Sequence, residues 1–430
     1  MPMPSTLAAT YEIVTPMFIG DAGQDAQTVQ PASVKGALRF WWRALNWGRV
    51  FIENDGKNAE ALQQLHREES KLFGRAAEEV NKKQIGGQGG FLLRVISNTP
   101  RASNLNQKKE YQNNTWQKYL LGLGLFQDGY NRKALVSGTF TIELFCRNKK
   151  IAEDMKPVLL AWGLLGGLGS RNRKGLGSVA ITSLTLKKGI SAKEEPVPLA
   201  EIPTNREEFT TCLAEILPAP ASDETPPFTA FCQESKMLVS EEADQTAWLA
   251  LAKIARIQQL FRGWGFKHLN SQKPHKVNEI RAHHSSYGDK QKDHDLVYEL
   301  AGKTSSATYP KSTVFGLPRS YGLSGFDTKK EITLEPIAMS GSAPEQKNKR
   351  SRRASPLFIH IHKFPSGKSI IVQTFLPAVF LPPKDQIEVT EKRGGGRNTL
   401  HQLSVQKKTD WTVITEYLQQ NAFKDWEVVL

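Results

Sequence analysis

Apolar positions along the chain alternate between a period of two and a period near four, and the changes come in the same order twice. Ala8 to Thr15 reads as a short half-buried strand closed by Thr15-Pro16. Ser33 then caps a predicted helix in which Val34, Leu38, Trp41 and Leu45 recur at i, i+4, i+7 and i+11. Gly89 to Ser97 and Thr139 to Cys146 alternate as strands, the second placing Phe140, Ile142, Leu144 and Cys146 on one face. A helix led by Asp154 and Pro157 follows, with Val158, Ala161, Trp162 and Leu165 on one side, and Ser178 to Leu186 closes the set as a strand.

The second half repeats this order. A strand is expected over Phe228 to Val239, then a helix over Thr246 to Phe261 with Ala250, Ile254, Ile257 and Phe261 as its stripe. Leu357 to Phe364 turns at Ser366-Gly367 into Ser369 to Leu376, a hairpin pattern. Thr409 is expected to cap a short helix carrying Trp411, Ile414 and Leu418, with a last strand from Trp426 to Leu430. Two β-α-β-β-α-β units predict an α+β protein of two tandem ferredoxin-like (RRM-like) domains. Their expected limits are 1–190 and 228–430, joined by a Pro-, Glu- and Ala-rich linker over 191–227. Long polar insertions are expected near 98–136, 268–306 and 341–353.

A length of 430 residues with 39% apolar side chains suits two folded cores. The 57 Lys and Arg against 43 Asp and Glu leave a formal charge of +14, which fits either a solvated basic surface or a polyanion partner. Cys146, Cys212 and Cys232 are widely spaced and form no CxxC pair, as in a reducing compartment. The N-terminal stretch has no secretory pattern and no apolar run approaches a membrane span, so a soluble, cytoplasmic protein is expected.

Three segments carry the candidate chemistry. In the run from Gly163 to Val179, Gly167, Gly169, Gly175 and Gly177 remove side chains that would hold a ligand off the backbone, and Arg171, Arg173 and Lys174 supply charge. The bland alternative is a flexible helix-strand connection with solvated charges. A P-loop is excluded, because GxxxxGK[ST] is absent and the glycines follow a helix. In Pro31 to Gly48, Lys35, Arg39 and Arg43 fall at i, i+4 and i+8 beside the apolar stripe, with Ser33, Lys35 and Gly36 at the anion-favouring helix start. Ordinary surface arginines on an amphipathic helix would look the same. Trp41 is expected in the core. In Lys347 to Phe364 a basic run with Arg352 and Arg353 leads into a strand, either as a solvated loop or as a lip for RNA.

The segments TPMFIGDAG, SVKGALRFWWRAL, LFG (Leu72 to Gly74), GGLGSRNRKGLGSV, FGLP (Phe315 to Pro318) and RRASPLFIHIH occur in this order. With them the chain resembles the RAMP superfamily over nearly its whole length. KGALRFWWR together with RRASPL is similar, more narrowly, to the first-named subunits of the Cmr module, the type III-B CRISPR RNA-guided effector complex. The resemblance implies two ferredoxin-like domains and assembly with other RAMP subunits at one end of a filament-like complex. It also implies contact with the 3′ portion of guide RNA and with incoming single-stranded target RNA in antiviral defence. No cofactor, metal or membrane partner is implied.

Several RAMP relatives cleave RNA, and a metal-independent ribonuclease needs an acid and a base near the 2′-OH. None of the nine histidines lies in the first domain's β1-helix loop or Gly-rich loop. His360 and His362 share one strand face, read as sheet surface, while His283, His284 and His294-Asp295 fall in an insertion without further ligands at metal spacing. A non-catalytic RNA-binding role is therefore expected. An endoribonuclease and a protein-protein scaffold without direct RNA contact are the alternatives.

Overall fold

The computed structural model describes residues 4–20, 26–80, 83–105, 115–122, 125, 132–189, 195–219, 224–262, 293–302, 309–323, 330–338, 348–349, 352–382, 384–393, 396–405 and 409–430. The chain is a mixed α+β protein with antiparallel sheets. Its first half contains β1 (Ser5–Ile13), α1 (Pro31–Glu53), α2 (Asn58–Phe73), β2 (Arg75–Val80), β3 (Lys83–Gly87), β4 (Phe91–Ser103), α3 (Thr115–Leu121), β5 (Ala134–Cys146), α4 (Lys149–Leu165) and β6 (Val179–Lys188). Without α2, the β2-β3 hairpin and α3, the order is β-α-β-β-α-β. The strands lie side by side as β4-β5-β1-β6. Leu7, Ala9, Tyr11 and Ile13 of β1 point to one face, which α1 and α4 cover, and the Tyr11 hydroxyl donates to the Leu159 carbonyl at 3.0 Å.

Two helix starts differ from expectation. Pro31 occupies the first turn of α1, so Ser33 lies inside the helix rather than capping it. Asn148 caps α4, its side chain accepting from the Ile151 amide at 3.0 Å, and Pro157 sits within the helix.

The expected linker over 191–227 contains more structure than a connection. β7 (Val197–Pro198) adds to β6, and α5 (Arg206–Ile216) is capped by Asn205 and buries Phe209 and Leu213 in the first core. The Pro-rich composition concealed a helix that fully buries only those two side chains, with Cys212 and Ile216 packed partly buried beside them.

The second half contains β8 (Lys236–Val239), α6 (Ala247–Arg262), α7 (Asp293–Ala301), β9 (Arg319–Leu323), β10 (Lys330–Ala338), β11 (Asn348–Lys349), β12 (Leu357–Lys363), β13 (Ser369–Phe375), β14 (Gln386–Arg393), β15 (Gly396–Ser404), α8 (Thr412–Leu418) and β16 (Glu427–Val428). β12-β13-β8-β16 form one sheet, in the same relative order as the first half's four principal strands. The strand expected over 228–239 is confined to its last four residues, and Asp410, not Thr409, accepts from the first amide of α8. An additional antiparallel sheet, β11-β10-β14-β15 with β9 beside β10, was not anticipated. Of the expected insertions, 268–292 and 341–347 lie outside the described residues.

The two halves share their cores. Met237, Val239, Phe358, Ile370 and Val372 join the apolar cluster of the first half, while Phe18, Leu105, Trp116 and Leu176 join that of the second. His360 and His362, expected on a sheet surface, are buried where β12 meets α4, and the His360 Nδ1 pairs with the Gly166 carbonyl at 2.7 Å. Burial pushes His360 down to about 4 and holds His362 well below its ordinary value. The unfolded chain therefore binds more protons than the folded one between about pH 6.5 and 4, and stability falls as pH falls through that window. His360 alone is expected to account for roughly 3 kcal/mol of that loss. Unfolding measured against pH should show a flatter slope in His360→Gln, which stays neutral and keeps a donor for Gly166. An identical slope would mean that His360 titrates normally.

Candidate nucleic-acid interface

Helix α1 turns Val34, Leu38, Trp41 and Leu45 inward as expected, and Trp42 and Trp47 are buried with them. The same helix places Lys35, Arg39 and Arg43 against α2, an element the sequence reading missed. Buried Glu69 of α2 forms an ion pair with Arg39, whose Nε lies 2.9 Å away, and accepts from Arg43 Nη2 at 2.7 Å, with a second contact from Arg43 Nε. The Arg39 guanidinium also lies 5.3 Å from the Phe73 ring centroid. Arg39 and Arg43 are thus held in a helix-helix ion cluster rather than presented freely to phosphate. Lys35 is half-buried and makes no ion pair among the described residues, and desolvation, then the Arg39 charge, lower its pKa. Lys35 and Arg39 line a cleft of about 710 Å³ with His66, Ser70 and Gln88.

The Gly-rich segment forms a tight hairpin. Gly167 bridges Ser178, the Leu168 amide donates to the Gly177 carbonyl at 2.9 Å, and the Lys174 amide closes a turn on the Arg171 carbonyl at 2.8 Å. On one side it is tied to the segment after β1: the Ser170 amide donates to Phe18 and the Gly177 amide to Pro16, while the Thr15 hydroxyl donates to the Gly175 carbonyl at 2.7 Å. On the other side the Ile359 amide of β12 donates to the Arg173 carbonyl at 3.0 Å, and the Ile361 amide donates to the Ser178 hydroxyl.

This corrects the role expected of the glycines. Space beside Gly167, Gly169, Gly175 and Gly177 is filled by the protein itself. A Cβ on Gly177, at φ +64, would lie 2.0 Å from the Leu168 carbonyl oxygen, and one on Gly175 would lie 2.6 Å from Leu251 Cδ1. The glycines let the chain approach its own backbone and the second half, not a ligand.

The cations of the hairpin diverge. Arg171, at φ +63, is exposed, and partial desolvation followed by the Arg352 charge lowers its pKa. Arg173 is half-buried, 4.4 Å from the Phe358 ring centroid and 5.3 Å from that of Phe40, and its Nη1 donates to the Ser355 carbonyl at 2.5 Å. Burial, then the Arg353 charge, pushes its guanidinium down to about 10. Lys174 points to the opposite side, 5.3 Å from the Tyr119 ring centroid. Arg352 is exposed, whereas Arg353 is structural: its backbone pairs with Leu317 and its guanidinium holds the Val379 and Phe380 carbonyls.

Between the start of α1 and the hairpin lies a groove of about 440 Å³ lined by Ser33, Gly36, Phe40, Gly167, Arg173 and Phe358. It offers a helix N-terminus, aromatic rings and a guanidinium, groups that hold anions and bases. The sequence reading did not single out Phe40, Phe358 or Tyr119, nor the cations Arg262 and Arg319, which the fold brings to Lys174. No periodicity could have marked them, because each reaches the site from a different element.

Histidines 268, 275, 283 and 284 lie outside the described residues, as does the His294 side chain. Among the described residues no group of three or more His, Cys, Asp or Glu could hold a metal ion, and no helix is long and apolar enough to cross a membrane.

Residues 10–180 match the RAMP superfamily. A curated relative, the CRISPR system Cmr subunit Cmr1-2 of Pyrococcus furiosus, is 26% identical over 190 residues, which cover 40% of this chain and 93% of that protein. The crystal structure of Cmr1 from Pyrococcus furiosus in its apo form superposes over 99% of this chain and 98% of that one, with a TM-score of 0.48 and 17% identity. The matched span runs from β1 through the glycine hairpin into β6, so it is this part of the chain that is similar to the RAMP superfamily.

Proposed function

We propose that this chain is a non-catalytic RNA-holding subunit of a type III-B CRISPR effector complex. In that complex it works in the cytoplasm beside other RAMP subunits, contacting the 3′ portion of guide RNA and incoming target RNA. The likeness to a Cmr subunit over 40% of the chain supports the assembly. The repeated strand order supports two tandem ferredoxin-like units, 1–190 and 228–430, connected through 191–227.

One observation carries the RNA reading. Arg173 lines the groove, and Arg171 and Arg352 lie exposed at the hairpin, all three with no carboxylate partner among the described residues, whereas Arg39 and Arg43 share Glu69. Side chains around the hairpin, rather than its amides, form the cradle. Lys35 extends it along α1, and Arg353 shapes it through Leu317 and Phe380. Backbone contacts of this kind position RNA without reading bases, and base pairing with the guide supplies sequence specificity.

Arg171 and Arg352 are exposed, so replacing both by Ala should leave the thermal midpoint unchanged. Single-stranded RNA affinity should fall similarly across sequences, and the log-log salt slope should become shallower by about 1.4, at roughly 0.7 per lost phosphate contact. Equal affinity and slope in the double variant would remove this surface from the RNA site. RNA recovered from the wild-type mixture should be intact, and discrete cleavage products would overturn the non-catalytic reading.

A further inference from the structure

The side of the hairpin away from the groove holds a second group of cations. Lys174 and Arg262, the last residue of α6, share one aromatic ring: the Arg262 guanidinium lies 5.8 Å from the Tyr119 centroid, and its Nη1 donates to the Tyr119 hydroxyl at 3.0 Å. Arg262 also lies 4.5 Å from the Phe315 ring centroid, and its Nε is buried without a partner. Arg319 of β9 lies 4.8 Å from the Tyr321 ring centroid and donates from Nη1 to the Ser312 carbonyl at 3.1 Å. The Arg171 guanidinium passes beside Gly122 at the end of α3. The charges of Arg262, Arg171 and Arg319 all act on Lys174, and that of Arg319 acts on Arg262.

Like charges gathered at partly desolvated positions repel, and aromatic faces offset only part of that cost. Among the described residues no carboxylate pairs with Lys174, Arg262 or Arg319. Asp293, whose charge reaches Tyr321, is buried and accepts from the Lys311 and Ser312 amides. Lys174, Arg262, Arg319 and Tyr119 all keep some solvent exposure.

We propose that Lys174, Arg262 and Arg319 form a phosphate-binding site at the junction of the two halves, separate from the groove beside α1. The hairpin contributes one cation and the second half contributes two, so the site is complete only when the halves are joined. Two sources could supply the phosphate: an internal phosphodiester or terminal phosphate of an RNA strand, or the free ion. Only the first of these rests on the RNA-holding reading above.

The full-length chain would be titrated with inorganic phosphate, with a single-stranded RNA bearing hydroxyls at both ends, and with the same RNA bearing a terminal phosphate. Thermal midpoint and salt-dependent affinity would be read for the wild type, Arg262→Gln and Arg319→Gln. Inorganic phosphate should raise the wild-type midpoint and leave both variants unmoved. The hydroxyl-ended RNA should lose about 0.7 of salt slope in each variant if an internal phosphodiester occupies the site. Loss confined to the phosphorylated RNA assigns a terminus. Stabilisation by phosphate with unchanged RNA binding assigns the free ion. If inorganic phosphate stabilises neither protein, or stabilises wild type and variants equally, the site is overturned, even if RNA binding through Arg171 and Arg352 persists. If Arg262→Gln does not fold, Arg319→Gln, altered at a partly exposed strand position, decides the matter alone.

Discussion

Alanine at position 177 should cost about 3–5 kcal/mol of stability. The left-handed conformation of Gly177 alone accounts for roughly 1–2 kcal/mol of this once a Cβ is present. The remainder comes from the contact the new Cβ would make 2.0 Å from the Leu168 carbonyl oxygen, which is backbone and cannot turn away. Relief requires the hairpin to open, loosening the Leu168–Gly177 and Gly177–Pro16 hydrogen bonds and moving Arg171 and Arg173. Urea unfolding should show the loss in midpoint, and RNA affinity should fall with it. Gly36→Ala is the contrasting substitution: nothing lies within 4 Å of the added carbon, and α1 should gain about 0.5–1 kcal/mol. Equal midpoints for Gly177→Ala and wild type would mean that the hairpin does not hold this conformation in solution.

The second large effect is expected at Glu69. Glu69→Gln removes the carboxylate that binds both Arg39 and Arg43 and should destabilise the α1-α2 pair by about 1–3 kcal/mol. The lower end applies because both guanidiniums retain water access, with side chains 33% and 42% exposed. RNA affinity should not fall, because the change releases positive charge instead of removing it. A loss of RNA affinity in a variant that is still folded would show that the charge-paired helix face does contact RNA through its ordered geometry.

The principal elements of both halves were legible because each buries one face of a regular period. The stripe of α1, the alternation of β5 and the β12-β13 hairpin are all visible in the residues that the core requires. Helix α2 was not, since its inward face includes Glu69 beside Ala61, Leu65 and Leu72. A charged residue at a core-facing position weakens the very signal by which such a helix is found. The β14-β15 hairpin is similarly veiled, because β15 is largely polar and exposed.

At the site, residue types were easier to read than their partners. Glycines and arginines in one run marked a basic loop, but not that it is a constrained hairpin. What the glycines accommodate is a tertiary fact: Phe18, Leu168, Leu251 and Ile359 occupy the space a ligand was expected to use. Arg353 likewise looked like a free lip in a basic run, yet its guanidinium fastens the chain at Val379 and Phe380. Sequence spacing reports which side chains share an element, but not which distant carbonyl each will meet.

The bond from the Ile359 amide to the Arg173 carbonyl has a consequence for biosynthesis. The glycine run leaves the ribosome well before β12 is made, so a nascent first half lacks the strand against which its hairpin closes. The basic turn takes its final shape only after β12 has been translated. A truncated product ending before Leu357 would carry the arginines without the clasp that orders them.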